Sequence, residues 1–96
     1  MPTFDLEFLP TARKEWDKLH RAIRDQFKKK LAERLVVPRT ESARLVGMPD
    51  SHKIKLRFAG YRLVYRVEDK RVTVVVIAVG RRERNAVYKT AAKRVG

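Results

Sequence analysis

The strongest constraint on the fold is an alternating pattern in the two segments that flank Ala59 and Gly60. If these two residues form a tight turn, the segments pair as an antiparallel hairpin. Because side chains alternate along a strand, a slip of one residue would expose the whole apolar set, so burial fixes which face points inward. The predicted inward face carries Ile54, Leu56, Phe58, Tyr61, Leu63 and Tyr65.

The opposite face of this hairpin is basic. Cations placed side by side on a sheet repel one another, so the cluster needs another source of stabilisation. We interpret the cluster as a surface that binds an anion. The competing interpretation, an ordinary solvated sheet face, explains isolated cations but explains a group of this size poorly. The group consists of Lys53, Lys55, Arg57, Arg62 and Arg66.

The N-terminal third of the chain has the pattern of a strand followed by helices. Residues 3–8 alternate as in a half-buried strand. Pro10 suits the first turn of a helix, and apolar residues then recur at spacings of three and four. This spacing predicts two helices, or one bent helix, ending near Leu35, with Pro38 as the stop signal.

The second half of the chain predicts a sheet and a last helix. Strands are expected at about residues 52–59, 61–68 and 71–80, and the short turns between them favour antiparallel neighbours. Residues 84–94 have a weak helical pattern. We therefore predict one α+β domain over residues 1–96, in the order β-α-α-β-β-β-α. An N-terminal helical hairpin is expected on one face of a small antiparallel sheet, with a C-terminal helix in addition.

The chain is strongly basic. Its 24 lysines and arginines outnumber 11 acidic residues and give a net charge of +13. The hydrophobic content of 44% is that of a folded domain, and a folded domain with so much positive charge usually binds a polyanion. We expect a nucleic acid or an acidic protein as the partner, and the alternative is a cationic surface that merely keeps the protein soluble.

Composition also excludes several kinds of site. The chain has no cysteine, which rules out disulfides, thiolate nucleophiles and cysteine-based metal sites and favours a reducing cytoplasm. The N-terminus predicts no signal peptide, and the apolar run at residues 72–79 is too short to span a bilayer. The sequence has no cluster of acidic residues and histidines that would indicate a metal site, and it has no glycine-rich phosphate loop. We therefore expect no metal and no cofactor.

The two histidines do not form a convincing catalytic pair. His20 is expected at a helix end as a surface or capping residue, and His52 as a partly buried structural residue. Any chemistry must therefore use lysine, arginine and tyrosine. These groups suffice for RNA cleavage by 2′-hydroxyl attack, because a lysine among other cations loses its proton more easily and arginine stabilises charge on phosphate. Tyr88 is suited to stack on a base, although packing of the tail on the sheet explains it equally well.

Two runs of sequence resemble a known family. Residues 47–69 (GMPDSHKIKLRFAGYRLVYRVED) and 76–88 (VIAVGRRERNAVY) are similar to the RelE branch of the RelE/ParE toxin superfamily. The run ARKEWDKL at residues 12–19 and the lysines at 28–30 extend the similarity over nearly the whole chain. The resemblance implies a microbial-ribonuclease-like fold and a cytoplasmic toxin that cuts mRNA in the ribosomal A site. Cleavage would need no metal and would leave 2′,3′-cyclic phosphate and 5′-hydroxyl ends.

The resemblance also implies a role for each matched residue. Lys55 matches the general base, and Lys53 matches the lysine that supports it or holds phosphate. Arg62 matches the residue that stabilises the transition state, and Tyr88 the one that stacks on or orients the substrate. Arg82 matches the residue on the leaving-group side. Since arginine is a weak proton donor, we expect Arg82 to stabilise the leaving oxyanion, and the route of the proton stays open.

Other basic residues are expected to contact RNA or the 70S ribosome, including its 16S rRNA. Val46 stands where relatives carry a basic residue, so one contact is expected to be missing or to be supplied by Arg44. The full set of expected contacts is Arg44, Arg57, Arg66, Arg81, Arg84, Lys28, Lys29 and Lys30.

The resemblance further implies a RelB-like acidic antitoxin, in a complex that binds operator DNA. By strand alternation, several apolar residues should share the basic sheet face. They are expected to lie in a central strand buried on both sides, or to be covered by the C-terminal helix, by antitoxin or by both. These residues are Val64, Val75, Ile77 and Val79.

Two other functions are compatible with the sequence. A ParE-like toxin of the same fold would inhibit gyrase without nuclease activity. Such an inhibitor has no evident need for the set that Lys55, Arg62, Arg82 and Tyr88 form. A non-catalytic module that binds RNA or the ribosome is permitted by charge alone.

Overall fold

The computed structural model describes residues 3–81, 83 and 85–95 of the chain. Within these residues the order of elements is the predicted one, and the helical region consists of two helices rather than one bent helix. A short 3-10 turn at Glu41–Ala43 precedes the second strand. The main elements are β1 (Asp5–Phe8), α1 (Pro10–Asp17), α2 (Arg21–Val36), β2 (Ser51–Leu56), β3 (Tyr61–Glu68), β4 (Thr73–Arg81) and α3 (Ala86–Val95).

The first two helices begin where their sequences predict. Pro10 occupies the first turn of α1, where its missing N–H costs no hydrogen bond. His20 precedes α2, and its Nδ1 accepts a hydrogen bond of 3.2 Å from the backbone N–H of Ala22. The side chain thus satisfies one of the free N–H groups of the first turn, which confirms His20 as a capping residue.

The sheet is mixed, with the strand order β1-β4-β3-β2. The pairs β2–β3 and β3–β4 are antiparallel, whereas β1 runs parallel to β4. The prediction of a wholly antiparallel sheet is therefore wrong at one edge. Short turns fix the direction of the three consecutive strands, but β1 reaches β4 only after both helices, so no turn constrains its direction.

The turn of the β2–β3 hairpin is longer than predicted. Leu56 pairs with Tyr61, so the turn spans residues 57–60, and the backbone N–H of Gly60 donates to the carbonyl of Leu56 at 2.8 Å. This shifts the register by two residues, and an even shift leaves each remaining side chain on its predicted face. The prediction for Phe58 is wrong, because Phe58 lies in the turn and is 108% exposed, while Ala59 packs against the core.

Each face of the sheet has its own apolar core. The larger core lies under α1 and α2, and the smaller one lies under α3, which covers Val75 and Ile77. A bulge interrupts β4, since Val64 pairs with Ala78 but Tyr65 pairs with Val76. The extra residue resets the alternation, so Val79 belongs to the larger core and not, as predicted, to the basic face.

Ion pairs are concentrated where β3 turns into β4. Glu68 accepts hydrogen bonds of 2.7 Å from both Arg66 and Arg71. Asp69 is bonded by Arg39, which also holds Asp50 at 3.0 Å. Hydrogen bonds from these arginines hold the pKa values of Glu68 and Asp69 below their ordinary 4.5 and 3.8. The positive charge of this end of the sheet is thus matched by carboxylates.

These depressed pKa values predict an acid-sensitive stability. Each carboxylate binds a proton more weakly in the folded chain, so its stabilisation is complete above about pH 5 and is lost as pH falls through the folded values. We expect the free energy of unfolding in urea to decline below about pH 5 in the wild type and to decline less steeply in Glu68→Gln. Identical pH profiles for the two proteins would show that the Glu68 contacts contribute nothing.

Candidate active site

The basic end of the hairpin and the start of α3 enclose an open cleft of about 300 Å³. Strands β2 and β3 and the turn between them supply three cations, and the C-terminal segment supplies a tyrosine and an asparagine. Three of the residues predicted to be catalytic, Lys55, Arg62 and Tyr88, are therefore brought together. We call this space the hairpin cleft, and its lining is Lys55, Arg57, Arg62, Asn85 and Tyr88.

Arg62 is a buried cation at this cleft. It pairs directly with Lys55 across the two strands, which places their Cβ atoms roughly 5 Å apart. Arg62 is only 5% exposed, and its Nη1 donates to the carbonyl of Tyr61 at 2.9 Å. Among the described residues no carboxylate forms an ion pair with it. A desolvated charge without a counter-charge is costly, so an anion that enters the cleft is strongly favoured.

Tyr88 brings an unpaired hydroxyl to the same cleft. Its side chain is half-buried on α3, and the buried hydroxyl has no hydrogen-bond partner among the described residues. A buried polar group in this state costs about 1–3 kcal/mol.

A bidentate ion pair anchors α3, and with it Tyr88, to the body of the protein. Arg94 donates to both carboxylate oxygens of Glu15 on α1, at 2.8 and 3.2 Å, and to the carbonyl of Ile77 at 2.8 Å. The backbone N–H of Val79 donates to Glu15 at 3.3 Å. The pair is partly buried, so solvent screens it less than a surface pair. It joins α1, β4 and α3, and thereby orients the helix that carries Tyr88.

Asn85 is the lining residue that the sequence reasoning missed. It has a positive φ of 59° and directly precedes α3, and its carbonyl accepts a hydrogen bond from Lys89 at 3.1 Å. Asparagine tolerates left-handed backbone better than most residues and is favoured just before a helix. An asparagine directly before a helical pattern was therefore the available signal.

Lys53 lies in a neighbouring cleft of about 320 Å³, which we call the flanking cleft. This cleft lies between α2 and the outer strand β2, and Arg34 of α2 donates to the carbonyl of Lys53 at 3.3 Å. The two clefts share Lys55 and Arg57, so they adjoin. Of the two predicted lysines, Lys55 thus lines both clefts and Lys53 lines only the flanking cleft. The flanking cleft is lined by Lys30, Arg34, Ser42, Ala43, Lys53, Ile54, Lys55 and Arg57.

The three consecutive lysines of α2, residues 28–30, point in different directions around the helix. Residues two apart point about 200° from each other around an α-helix. Lys30 lines the flanking cleft, whereas Lys28 lines a groove on the other side of the helix, beside Leu6 and Phe8 of β1. Lys29 is exposed and lines neither cleft. Only Lys30 is therefore placed near the candidate site.

The other predicted contacts are also dispersed. Arg66 lies toward the far end of β3 and is bonded to Glu68. Arg44 is exposed and 4.0 Å from Glu41, and the neighbouring Val46 is 98% exposed. Arg81, at the end of β4, stacks over the ring of Tyr61 at 5.7 Å. The predicted residues Arg82 and Arg84 lie outside the described residues.

His52 is confirmed as a structural residue. Its ring is buried and stacks on Tyr65 at 5.5 Å, and burial lowers its pKa. The hydroxyl of Tyr65 donates to the carbonyl of Pro38 at 2.6 Å and accepts from Arg34 at 2.7 Å. These hydrogen bonds hold β3 against α2, and the ring stack of His52 on Tyr65 joins β2 to β3.

Metal-binding clusters and membrane-spanning helices are both absent from the described residues. No group of three or more histidine, aspartate and glutamate side chains in these segments is arranged to hold a metal ion. Among the described helices, none combines the length and apolarity needed to cross a membrane.

Comparisons with known proteins connect this chain to a family. The model of a family described as the ParE toxin of the type II toxin–antitoxin system parDE matches residues 6–86. The mRNA interferase toxin RelE of Escherichia coli K12 is 57% identical over 90 residues, which cover 94% of this chain and 95% of that protein. These matches confirm the resemblance that residues 47–69 and 76–88 indicated.

Solved structures share the fold. A free E. coli RelE variant with two arginine-to-alanine substitutions matches with a TM-score of 0.90 and 52% identity, covering 98% of this chain and 99% of that one. RelE in the intact E. coli RelBE toxin–antitoxin complex matches with a TM-score of 0.81 and 56% identity, covering 84% and 99%. Both support the element order that the sequence predicted.

The unpaired hydroxyl of Tyr88 predicts an unusual effect on stability. Tyr88→Phe removes a buried hydroxyl that has no hydrogen-bond partner among the described residues, so we expect the free energy of unfolding to rise by about 1 kcal/mol. Tyr65→Phe is the matched control, because its hydroxyl has two partners, and it should lose about 1–3 kcal/mol. Urea unfolding would measure both, and an equal loss in the two variants would contradict the assignment.

Proposed function

Because the chain belongs to the ParE toxin family of type II toxin–antitoxin systems, we propose that it is a toxin that cleaves mRNA in the ribosomal A site and thereby inhibits translation. The observation that carries the proposal is the buried guanidinium of Arg62, which has no counter-charge among the described residues and lies beside Lys55 and Tyr88 in the hairpin cleft. An RNA phosphodiester would supply a counter-charge for Arg62.

The proposed reaction uses side chains of the protein, the RNA substrate and water. Lys55, in its neutral form, takes the proton of the 2′-hydroxyl as general base. The freed 2′-oxygen bonds to the adjacent phosphorus, and the bond from phosphorus to the 5′-oxygen breaks. A proton from water reaches the departing 5′-oxygen, which becomes a hydroxyl group, and Lys55 releases to the solvent the proton that it took. The products are a 2′,3′-cyclic phosphate and a 5′-hydroxyl end.

The other residues bind and orient the substrate. Arg62 contacts the non-bridging oxygens, where negative charge grows in the transition state, and its burial strengthens that interaction. Tyr88 orients the scissile nucleotide from α3. Arg82 stabilises the leaving oxyanion by analogy with the family. Lys53 holds a neighbouring phosphate, because it lines the flanking cleft rather than the hairpin cleft.

The ribosome enters the proposal for a geometric reason. In-line attack requires the 2′-oxygen, the phosphorus and the 5′-oxygen to be aligned, and one small cationic cleft has few contacts with which to align a flexible RNA. We propose that the A site holds the mRNA in this alignment while Arg57, Lys30 and other surface cations bind rRNA. Free mRNA should therefore be cut slowly.

The proposed repressor is an acidic RelB-like antitoxin. The net charge of +13 favours such a partner, and the RelE relative has been solved in an intact toxin–antitoxin complex. We propose that the complex of this chain with its antitoxin binds operator DNA, and that the toxin acts in the cytoplasm, where its ribosomal target is found.

Gyrase inhibition without cleavage is the second candidate, because the matching family model is described by the name ParE. Two observations favour cleavage instead. The relative at 57% identity is named an mRNA interferase. A gyrase inhibitor has no evident use for a buried arginine that lies beside a lysine and a tyrosine and has no carboxylate partner among the described residues. Primer extension on mRNA from translating ribosomes separates the two candidates. Discrete A-site cuts support the proposal, and intact mRNA beside inhibited gyrase contradicts it.

Substitution of Lys55 or Arg62 should slow RNA cleavage without weakening ribosome binding. We expect Lys55→Ala to slow single-turnover cleavage on programmed ribosomes by about 10²–10⁴-fold, as for loss of a general base. Arg62→Ala should slow it by about 10²–10³-fold, as for loss of a charge-stabilising group. Ribosome binding, measured by co-sedimentation, should change little.

The matched control for these variants is Lys70→Ala. Lys70 is exposed in the β3–β4 turn, at the end of β3 remote from the hairpin cleft, and its substitution removes the same charge as Lys55→Ala. It should cleave at the wild-type rate. If binding and cleavage instead fall in parallel in Lys55→Ala and Arg62→Ala, the two residues are docking contacts and the catalytic assignment is wrong.

A further inference from the structure

Phe58 is a fully exposed aromatic residue at the tip of the β2–β3 hairpin. The four-residue turn directs the small Ala59 toward the core and leaves the large phenyl ring in solvent. Burial of a phenylalanine side chain stabilises a protein by about 1.5–3 kcal/mol relative to exposure. This turn buries the smaller alanine instead and so loses that stabilisation. Single exposed apolar residues are common on protein surfaces, so exposure alone does not indicate a binding contact. The surroundings of the ring must be considered as well.

The surroundings of Phe58 are cationic. Its neighbour Arg57 lines both the hairpin cleft and the flanking cleft, and consecutive Cα atoms are about 3.8 Å apart. Phe58 therefore directly follows a cation that the two basic clefts share, and Lys55 also lines both clefts. A purely apolar protein surface would have to desolvate these cations in order to cover the ring. A ligand that carries both negative charge and flat apolar faces fits the combination.

Single-stranded RNA has both properties. Its phosphates complement the cations of the clefts, and its bases offer flat faces to an exposed aromatic ring. We propose that Phe58 stacks on a nucleobase of the RNA whose backbone occupies the hairpin cleft. The identity of this RNA as mRNA rests on the proposed function, whereas the stacking itself does not require cleavage.

The exposed ring can be converted into a reporter. Trp16 is the only tryptophan in the sequence and is 6% exposed, so its emission should respond weakly to a surface ligand. In Phe58→Trp an indole replaces the phenyl ring at the tip of the hairpin. The probe is a 2′-O-methyl hexanucleotide, which cannot be cleaved because its 2′-oxygens are blocked. We expect this probe to quench the fluorescence of the introduced indole, and an abasic hexanucleotide of equal charge to leave it unchanged.

The matched control is Val37→Trp. Val37 is 58% exposed and lies next to Pro38 and Arg39, near the opposite end of β3, roughly 20 Å from the hairpin tip. Its tryptophan should be insensitive to both oligonucleotides. In parallel, Phe58→Ala should bind the base-bearing probe about five- to one-hundred-fold more weakly than the wild type, while binding of the abasic probe stays the same.

The outcomes distinguish this inference from the proposed function. Equal quenching by the base-bearing and abasic probes, or equal affinities of Phe58→Ala and wild type, overturns the stacking role even if the toxin cuts mRNA on ribosomes. Base-dependent quenching supports it even if primer extension detects no cleavage. Protection of the introduced indole in Phe58→Trp by the antitoxin, without any response to RNA, would identify a protein contact and also overturn it.

Discussion

The rest of the structure depends on the burial of β4 on both faces. Val74 and Val76 pack under α1 and α2, while Val75 and Ile77 pack under α3. Because β1 and β3 satisfy its backbone, this strand can be almost wholly apolar. α3 covers only part of the second face, so the end of the β2–β3 hairpin stays open. The candidate active site occupies that opening, against the start of α3.

Charge is divided between the two ends of β3. At the far end, arginines are bonded to Glu68 and Asp69 and contribute to folding. At the hairpin end, Arg62 is buried beside Lys55 and Arg57, and it donates to a backbone carbonyl rather than to a carboxylate of the described residues. Carboxylates neutralise the first cluster, whereas under the proposed function RNA supplies a counter-charge for Arg62 in the second.

Sequence reasoning succeeded wherever the two-residue alternation of a strand was enough to assign side chains to a face of the sheet. Lys55 and Arg62 lie on the predicted face although the hairpin turn is twice as long as predicted. A register shift of two residues preserves strand alternation. It failed for Phe58, since turn length decides which residues leave the core, and for Val79, since the bulge in β4 reverses the alternation. The direction of β1 was also missed, because both helices intervene before its partner.

The sequence by itself determined the chemical groups available to the protein and the faces on which they lie. Strand and helix periods follow from local covalent geometry, and the lack of cysteine and of a histidine pair follows from composition. Only the tertiary structure decided which of these groups meet. It joined Tyr88 to Lys55 and Arg62, placed Lys53 in the flanking cleft that Lys55 also lines, and put Lys28 and Lys30 in different clefts. These placements depend on how helices dock across the sheet, and docking is governed by long-range packing, which no local pattern encodes.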